Sequence, residues 1–249
     1  MSQDGVYILE FNMHSRPYVT LNVAMTADGK TDTITRTGTT ISSADDLLRV
    51  DQLRAQNDAV MVGGHTLLGD DPRLTVKSDF LRSERLSQGQ EESPIKVGVV
   101  TNAAIQDGSR FLTVGNERKI IFTTTQTDAA QIDWLKKQDV QVFVADRPRV
   151  DLDSALQQLK QLGVERLLVE GGGTLNEDLL KHNLVDEINV YIAPLIFGGA
   201  NAPTFVSGTG FERQHALQLK LTAVDQHSDG GILLCYLVET SYSGTNSNH

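Results

Sequence analysis

A chain of 249 residues holds one large domain or two small ones and can bury a full core without staples. Lysine and arginine number 22 and aspartate and glutamate 32, a net charge of −10. That balance argues against nucleic acid as the main partner, because polyanion binders need a basic surface, yet it leaves room for a local cation cluster around a small phosphorylated ligand. Cys235 is the only cysteine, which excludes an intramolecular disulfide and a cysteine-rich zinc site. It sits in the strand-like run "GGILLCYLVE" and reads as a buried structural thiol. The opening "MSQDGVYILEFNMHS" lacks a basic n-region followed by an apolar core. No apolar run reaches the ~18 residues of a membrane helix. A cytoplasmic protein without membrane contact is expected.

In chain order, "RPYVTLNVAM" (16–25) alternates like a strand and "TADGKTD" follows as a turn. Ser42 or Ser43 is placed to cap a helix running to about Gln56, with apolar residues at 47, 50 and 53 and acids in its first turn. Residues 59–62 read as a strand, and "GGHTLLGDDPRL" as two glycines, a short helical turn and a stop at Pro72. Residues 78–94 are polar with little periodicity and are expected to be a surface excursion. Then come strands at "IKVGVV" and "KIIFTT", a helix around "AAQIDWLKKQ", a strand at "VQVFVA", a helix at "LDSALQQLKQLG" and a strand at "RLLVE". This alternation indicates a mostly parallel sheet covered by helices. The last third reads as antiparallel strands, "VDEINVYIAPLIFGG" and a pair turning near Asp229-Gly230. One domain over 16–240 is expected, with an N-terminal extension (1–15) and a disordered tail (241–249).

The stretch "LLVEGGGTLNEDLL" (167–180) carries the first chemical signal. An apolar run ends in a carboxylate, three glycines follow, and leucines at 175, 179 and 180 mark one helical face. Glycine permits close backbone approach, and the free N–H groups and dipole at a helix start attract an anion. The string is neither standard phosphate fingerprint: it lacks the lysine of the P-loop, and Asn176 stands where G-x-G-x-x-G needs its last glycine. A ligand-free tight turn is the competing reading. A second element, "VMVGGHTLLGDDPRLTVK", again runs from strand through glycines to a short helix. There Thr66 offers a hydroxyl, and Asp70 and Asp71 serve as turn carboxylates or more. His65 faces a cleft or only a loop. No G-x-S-x-G elbow is present. The histidines at 14, 65, 182, 215, 227 and 249 form no close metal-ligand pair, so no metal is expected. Two glycine-opened helices fit a dinucleotide.

Taken together and in order, "RPYVTLNVAMTADGKTD", "TTIS", "LRAQNDAVMVGGHTLLGDDPRLTVK" and "LLVEGGGTLNEDLLKHNLVDEINVYIAPLIFGG" resemble the riboflavin-biosynthesis reductases. The resemblance covers residues 16–238 and is weakest across 78–94. It implies a dihydrofolate-reductase-like fold: an α/β, mixed, mostly parallel sheet flanked by helices, with antiparallel C-terminal strands. It also implies NADPH as reductant, a homodimer, and reduction of a pyrimidine ribosylamino 5′-phosphate to its ribitylamino form. By resemblance, Gly171, Gly172, Gly173, Thr174 and Leu175 seat the NADPH pyrophosphate, Thr66 and Asp70 are further NADPH contacts, and Asn102 and Val144 line the cofactor groove. Arg54, Leu74, Lys77 and Glu170 match substrate-binding positions, with Arg54 and Lys77 supplying cations for the 5′-phosphate. The family more often has arginine at 77, and lysine keeps the charge but loses the bidentate fork. Glu170 and Asp28 are the candidates for catalytic proton relay, beside ordered water, although Asp28 also reads as a turn residue. The zinc signature of the family's deaminase half cannot be built from one cysteine, so a stand-alone reductase is expected. The alternatives are a same-fold reductase acting on a pterin or folate, and a nucleotide-binding protein without turnover.

Overall fold

Apolar runs alternate with capped helices along the chain, and in the computed structural model they close into one sheet. Residues 15–36 and 38–239 are described; the expected N-terminal extension, but for residue 15, and the expected tail lie outside them. The elements are β1 (Tyr18–Thr26), α1 (Ala44–Gln56), β2 (Ala59–Gly63), a π-helical turn (Thr66–Asp70), α2 (Asp79–Ser87), β3 (Ile95–Val99), α3 (Arg110–Thr113), β4 (Lys119–Thr124), α4 (Ala129–Lys137), β5 (Val140–Ala145), α5 (Leu152–Gln161), β6 (Arg166–Val169), α6 (Gly173–Lys181), β7 (Glu187–Ala193), a 3-10 turn (Arg213–His215), β8 (Gln218–Gln226) and β9 (Ile232–Glu239). The strand order is β5-β4-β3-β2-β6-β1-β7-β9-β8. Strands β1 to β7 run parallel, and β7–β9 and β9–β8 pair antiparallel. This is the mixed, mostly parallel sheet with antiparallel C-terminal strands that the resemblance implies.

The central strands are buried on both faces, as parallel strands covered by helices must be. Met61, Leu167 and Val169 join a core with Leu156, Leu159 and Leu179 of α5 and α6. Val60, Val62 and Leu168 point the other way, against Leu135 of α4, with Leu53 of α1 packed alongside. One residue of register thus divides the two cores. Side-chain caps start the helices: Ser43 accepts the Asp46 amide at α1, and Asp151 accepts the Ser154 amide at α5.

Three expectations change. β1 begins at Tyr18 because Pro17 has no N–H to give a ladder and the Arg16 guanidinium is forked onto Asp186 at 2.7 and 2.8 Å. The segment expected to be an irregular excursion contains α2. Its periodicity is invisible because the group it buries is Arg85, which donates to the carbonyls of Ala55, Asn57 and Glu91, while Phe80 and Leu86 stay exposed. Cys235 is half-buried on β9, beside the small cluster of Ile41, Tyr191, Ala193 and Leu233.

The chain order reverses between β2 and β6. β2 leads outward through β3, β4 and β5, whereas β6 returns to lie beside β1. Open α/β sheets bind ligands outside the carboxyl ends of the strands at such a switch point. Both glycine turns, Gly63-Gly64 after β2 and Gly171–Gly173 after β6, fall there.

Candidate active site

The two turns are joined: the Gly63 amide donates to the Gly171 carbonyl at 2.7 Å. The three glycines after β6 exist for different reasons. Gly171 has φ +87°, a region that disfavours side chains. A Cβ on Gly173 would lie 2.4 Å from Ser207 Oγ and 2.6 Å from the Thr204 carbonyl, so packing requires its absence. Gly172, joined to Gly171 by a cis peptide bond, has φ −78° and ψ −174°. The only neighbour its Cβ would meet within 4 Å is the Thr66 hydroxyl, at 3.3 Å. The space in front of α6 stays clear otherwise. As N-cap, Gly172 offers no side chain, so no cap satisfies the first amides of α6. Free amides, the positive end of a nine-residue helix and a facing hydroxyl form an anion cradle.

Beside the cradle lies a cleft of about 540 Å³. Its walls come from Gly63 to His65, from Val99 to Asn102 after β3, from Arg149 to Leu152 at the start of α5, and from Thr174, Leu175 and Asp178 of α6. Of the expected cofactor contacts, Asn102, Thr174 and Leu175 line it, while Thr66 and Gly172 face each other next to the lining residues His65 and Thr174. Val144 does not: it lies on β5, paired with Thr123, two strands beyond β3. Asp70 stands near Gly38 rather than in the cleft. Partial burial, then the nearby Asp32 charge, raises its pKa, with Arg110 opposing. Asp71 is a turn carboxylate, accepting from Ser109 Oγ and the Arg110 and Phe111 amides. His65 faces the cleft. Arg149 and Asp178 do as well, and no sequence motif pointed to them.

The expected substrate residues gather on the other side of the glycines, at the end of β6. Arg54 forks onto Glu170, Nε to Oε1 and Nη2 to Oε2 both at 2.7 Å, and its Nη1 donates to the Thr75 carbonyl at 3.1 Å. Each side chain of the pair is 14% exposed. Burial opposes the charge on Arg54, but the Glu170 carboxylate outweighs it and the pKa is raised. Arg54, expected to supply a cation for the 5′-phosphate, is thus paired with Glu170 through its Nε and Nη2. Leu74 is wholly buried, main chain included, at φ +54°. Lys77 is exposed, and its ammonium has no carboxylate within 4.0 Å among the described residues. Buried Asp51 fixes the backbone beneath it, accepting the Lys77 and Ser78 amides at 2.6 and 2.8 Å.

Asp28 is a clamp. Its carboxylate accepts Thr26 Oγ1 at 2.6 Å and the Gly198 and Phe197 amides at 2.7 and 3.2 Å. The Thr26 hydroxyl first, and then these amides, hold its pKa below the ordinary carboxylate value. Three donors thus fix the carboxylate of this expected relay residue within the turn.

This architecture is shared. The RibD C-terminal domain model matches residues 17–233. The chain belongs to that family. It is 42% identical over 196 residues to the 2,5-diamino-6-ribosylamino-4(3H)-pyrimidinone 5′-phosphate reductase of Archaeoglobus fulgidus, covering 79% of this chain and 89% of that protein. It is 40% identical over 207 residues to the protein of the same name from Methanothermobacter thermautotrophicus, covering 83% and 91%. Among solved structures, Acinetobacter baumannii RibD superposes with a TM-score of 0.73 at 25% identity over 90% of this chain, which spans 58% of that longer protein. Among the described residues no helix is long and apolar enough to cross a membrane.

The Asp28 clamp has a pH signature. Because its folded pKa is depressed, its contribution is complete above the unfolded value of about 4. It is lost as the pH falls from there through the folded value. Urea midpoints of Asp28→Ala are expected to lie below those of the unmodified protein at pH 7, with the gap narrowing as both are acidified below pH ~4. A gap that stays constant over that range contradicts an ionised clamp.

Proposed function

We propose that the chain is an NADPH-dependent reductase that converts a ribosylaminopyrimidine 5′-phosphate to its ribitylamino form in riboflavin biosynthesis, acting in the cytoplasm as a homodimer. The observation that carries the reading is the uncapped start of α6 with Gly172 clear before Thr66, at the sheet's switch point. The kinship with two archaeal reductases at 40–42% identity supports it. When bound, NADPH supplies hydride for C1′ of the opened ribosyl group. The residues in place fit it: the α6 amides and Thr66 for the pyrophosphate, and Asn102, Thr174 and Leu175 along the groove.

The protein's part is to bind, orient and exclude water. Glu170, held by Arg54, keeps lone pairs free to accept from substrate hydroxyl or amine groups. Its charge is balanced by a guanidinium, so its role is orientation, and the proton is assigned to water. Lys77 takes the 5′-phosphate, and Arg54 acts by seating Glu170. The homodimer reading is supported by β8, the outermost strand. Leu219, Leu221 and Val224 are 42, 50 and 55% exposed. They share a face with Leu234, Tyr236 and Val238, by their pairing with β9. An open edge with apolar residues invites a second copy.

Three outcomes are expected. Gly172→Val, in folded protein, is expected to lose NADPH affinity about tenfold or more by cofactor fluorescence; unchanged affinity in folded protein would mean that the clear space serves no ligand. Absorbance loss of NADPH with the diamino-pyrimidinone ribosylamino phosphate is expected, and Lys77→Ala is expected to lower kcat/KM by about 10- to 100-fold on it. On the dephosphorylated analogue Lys77→Ala is expected to change little, whereas Arg54→Lys loses on both. Equal losses for Lys77→Ala on the two substrates remove it from the phosphate, and turnover of folates instead favours the same-fold alternative. Analytical ultracentrifugation is expected to give a dimer that Leu221→Glu with Val224→Glu converts to a monomer. A variant that remains dimeric places the interface elsewhere.

A further inference from the structure

The cleft is charged unevenly. Of the residues that line it, Arg149 is the only arginine or lysine and Asp178 the only carboxylate, while His65 stands beside Gly64 at the end of β2. Arg149 Nη2 donates to Asp178 Oδ2. The arginine side chain is 64% exposed and the aspartate 23%, so the fork is held from one side and open on the other. An exposed pair of this kind contributes little to stability. The pair lies on the cleft wall.

Its position along the cleft follows from the strand order. The Arg54–Glu170 pair lies at the end of β6, and the cradle follows at the start of α6. From β6 the carboxyl ends run outward through β2 to β3, where Val99 to Asn102 line the cleft opposite Arg149 to Leu152. A dinucleotide with its pyrophosphate on the cradle and its reactive ring toward Glu170 therefore puts its adenosine half between the β3 loop and the start of α5. On the α6 wall, Asp178 stands one turn beyond Thr174.

We propose that Arg149 reads the 2′-phosphate of the cofactor's adenosine ribose and that Asp178 occupies Arg149 until that phosphate displaces it; the assignment rests on the NADPH reading given above. A phosphate is matched by the planar guanidinium fork, with two parallel charge-assisted hydrogen bonds. A carboxylate at the same place suits an unphosphorylated ribose, whose 2′-hydroxyl it can accept. The two side chains thus favour different cofactors, and the choice is an exchange of anions on one arginine. The free pair keeps Arg149 aimed across the cleft. The phosphate, with the greater charge, takes the fork, and Asp178 turns to solvent. Because the contact is exposed, the discrimination weakens as salt rises.

The test uses matched adenine nucleotides. Isothermal titration of the intact protein compares adenosine 2′,5′-bisphosphate with adenosine 5′-monophosphate, and cofactor fluorescence compares NADPH with NADH. Arg149→Gln is expected to lose about tenfold or more on the bisphosphate and on NADPH, with the monophosphate and NADH little changed. Arg149→Lys is expected to fall between, since it keeps charge without the fork. Asp178→Asn is expected to widen the preference for the phosphorylated partner. Equal loss on both nucleotides would make Arg149 a cover for the adenine and overturn the proposal, and a narrower preference in Asp178→Asn would overturn the exchange. If the unmodified protein prefers NADPH and Arg149→Gln keeps that preference, the cofactor reading stands and the assignment of Arg149 falls. If the unmodified protein binds neither cofactor, the cofactor reading itself fails and the assignment with it.

Discussion

One main-chain hydrogen bond organises the functional end of this molecule. The Gly63 amide reaches the Gly171 carbonyl just beyond the ends of two neighbouring parallel strands. It fixes the separation of two turns that the chain visits far apart in sequence. Thr66 and Gly172 face one another because their turns are tied there, and α6 points its free amides into the gap for the same reason. A side chain at Gly63 would lie 3.1 Å from Leu175 Cβ, so the approach of β2 to α6 leaves almost nothing to spare. The cleft is what remains once the β3 loop and the start of α5 close the other walls.

Much of this was readable from residue order. Short apolar runs marked β2 to β6, because strands buried on both faces need no polar alternation, and alternation marked β1. Ser42 or Ser43 announced α1 by the chemistry of the cap, and Ser43 fills it. α2 escaped because it docks through a guanidinium and three carbonyls, a pattern without hydrophobic period. The pairing of Arg54 with Glu170 spans 116 positions, and that of Asp28 with Phe197 and Gly198 spans 169 and 170. The family resemblance suggested a phosphate ligand and a proton relay. Only folding reveals that one is paired with a carboxylate and that the other accepts three hydrogen bonds. Arg149 and Asp178, 29 apart on unrelated elements, carry no local signature at all.

The Arg54–Glu170 pair shows how electrostatics and scaffold depend on each other. Each charge is largely removed from water, a state tolerable only because the fork is bidentate and the spare guanidinium nitrogen reaches Thr75. The same contacts join α1, the end of β6 and the segment carrying Lys77. A carboxylate held this way keeps its direction without needing substrate to organise it, which is the preorganisation a transfer between two bound molecules requires.

The connection from β7 to β8 is attached in a different manner. Asp28 takes the amides of Phe197 and Gly198, Asn176 donates to the Phe205 carbonyl, Gly173 accepts the Ser207 amide and Glu177 accepts that of Gly210. These are polar ties from β1's turn and one face of α6, set against a sheet whose centre is sealed by apolar packing. Phe205, Val206, Phe211 and Leu217 of the same connection also pack against the main core. Opening the segment beside the cradle would therefore uncover core side chains, which ties the order of this edge to the integrity of the sheet.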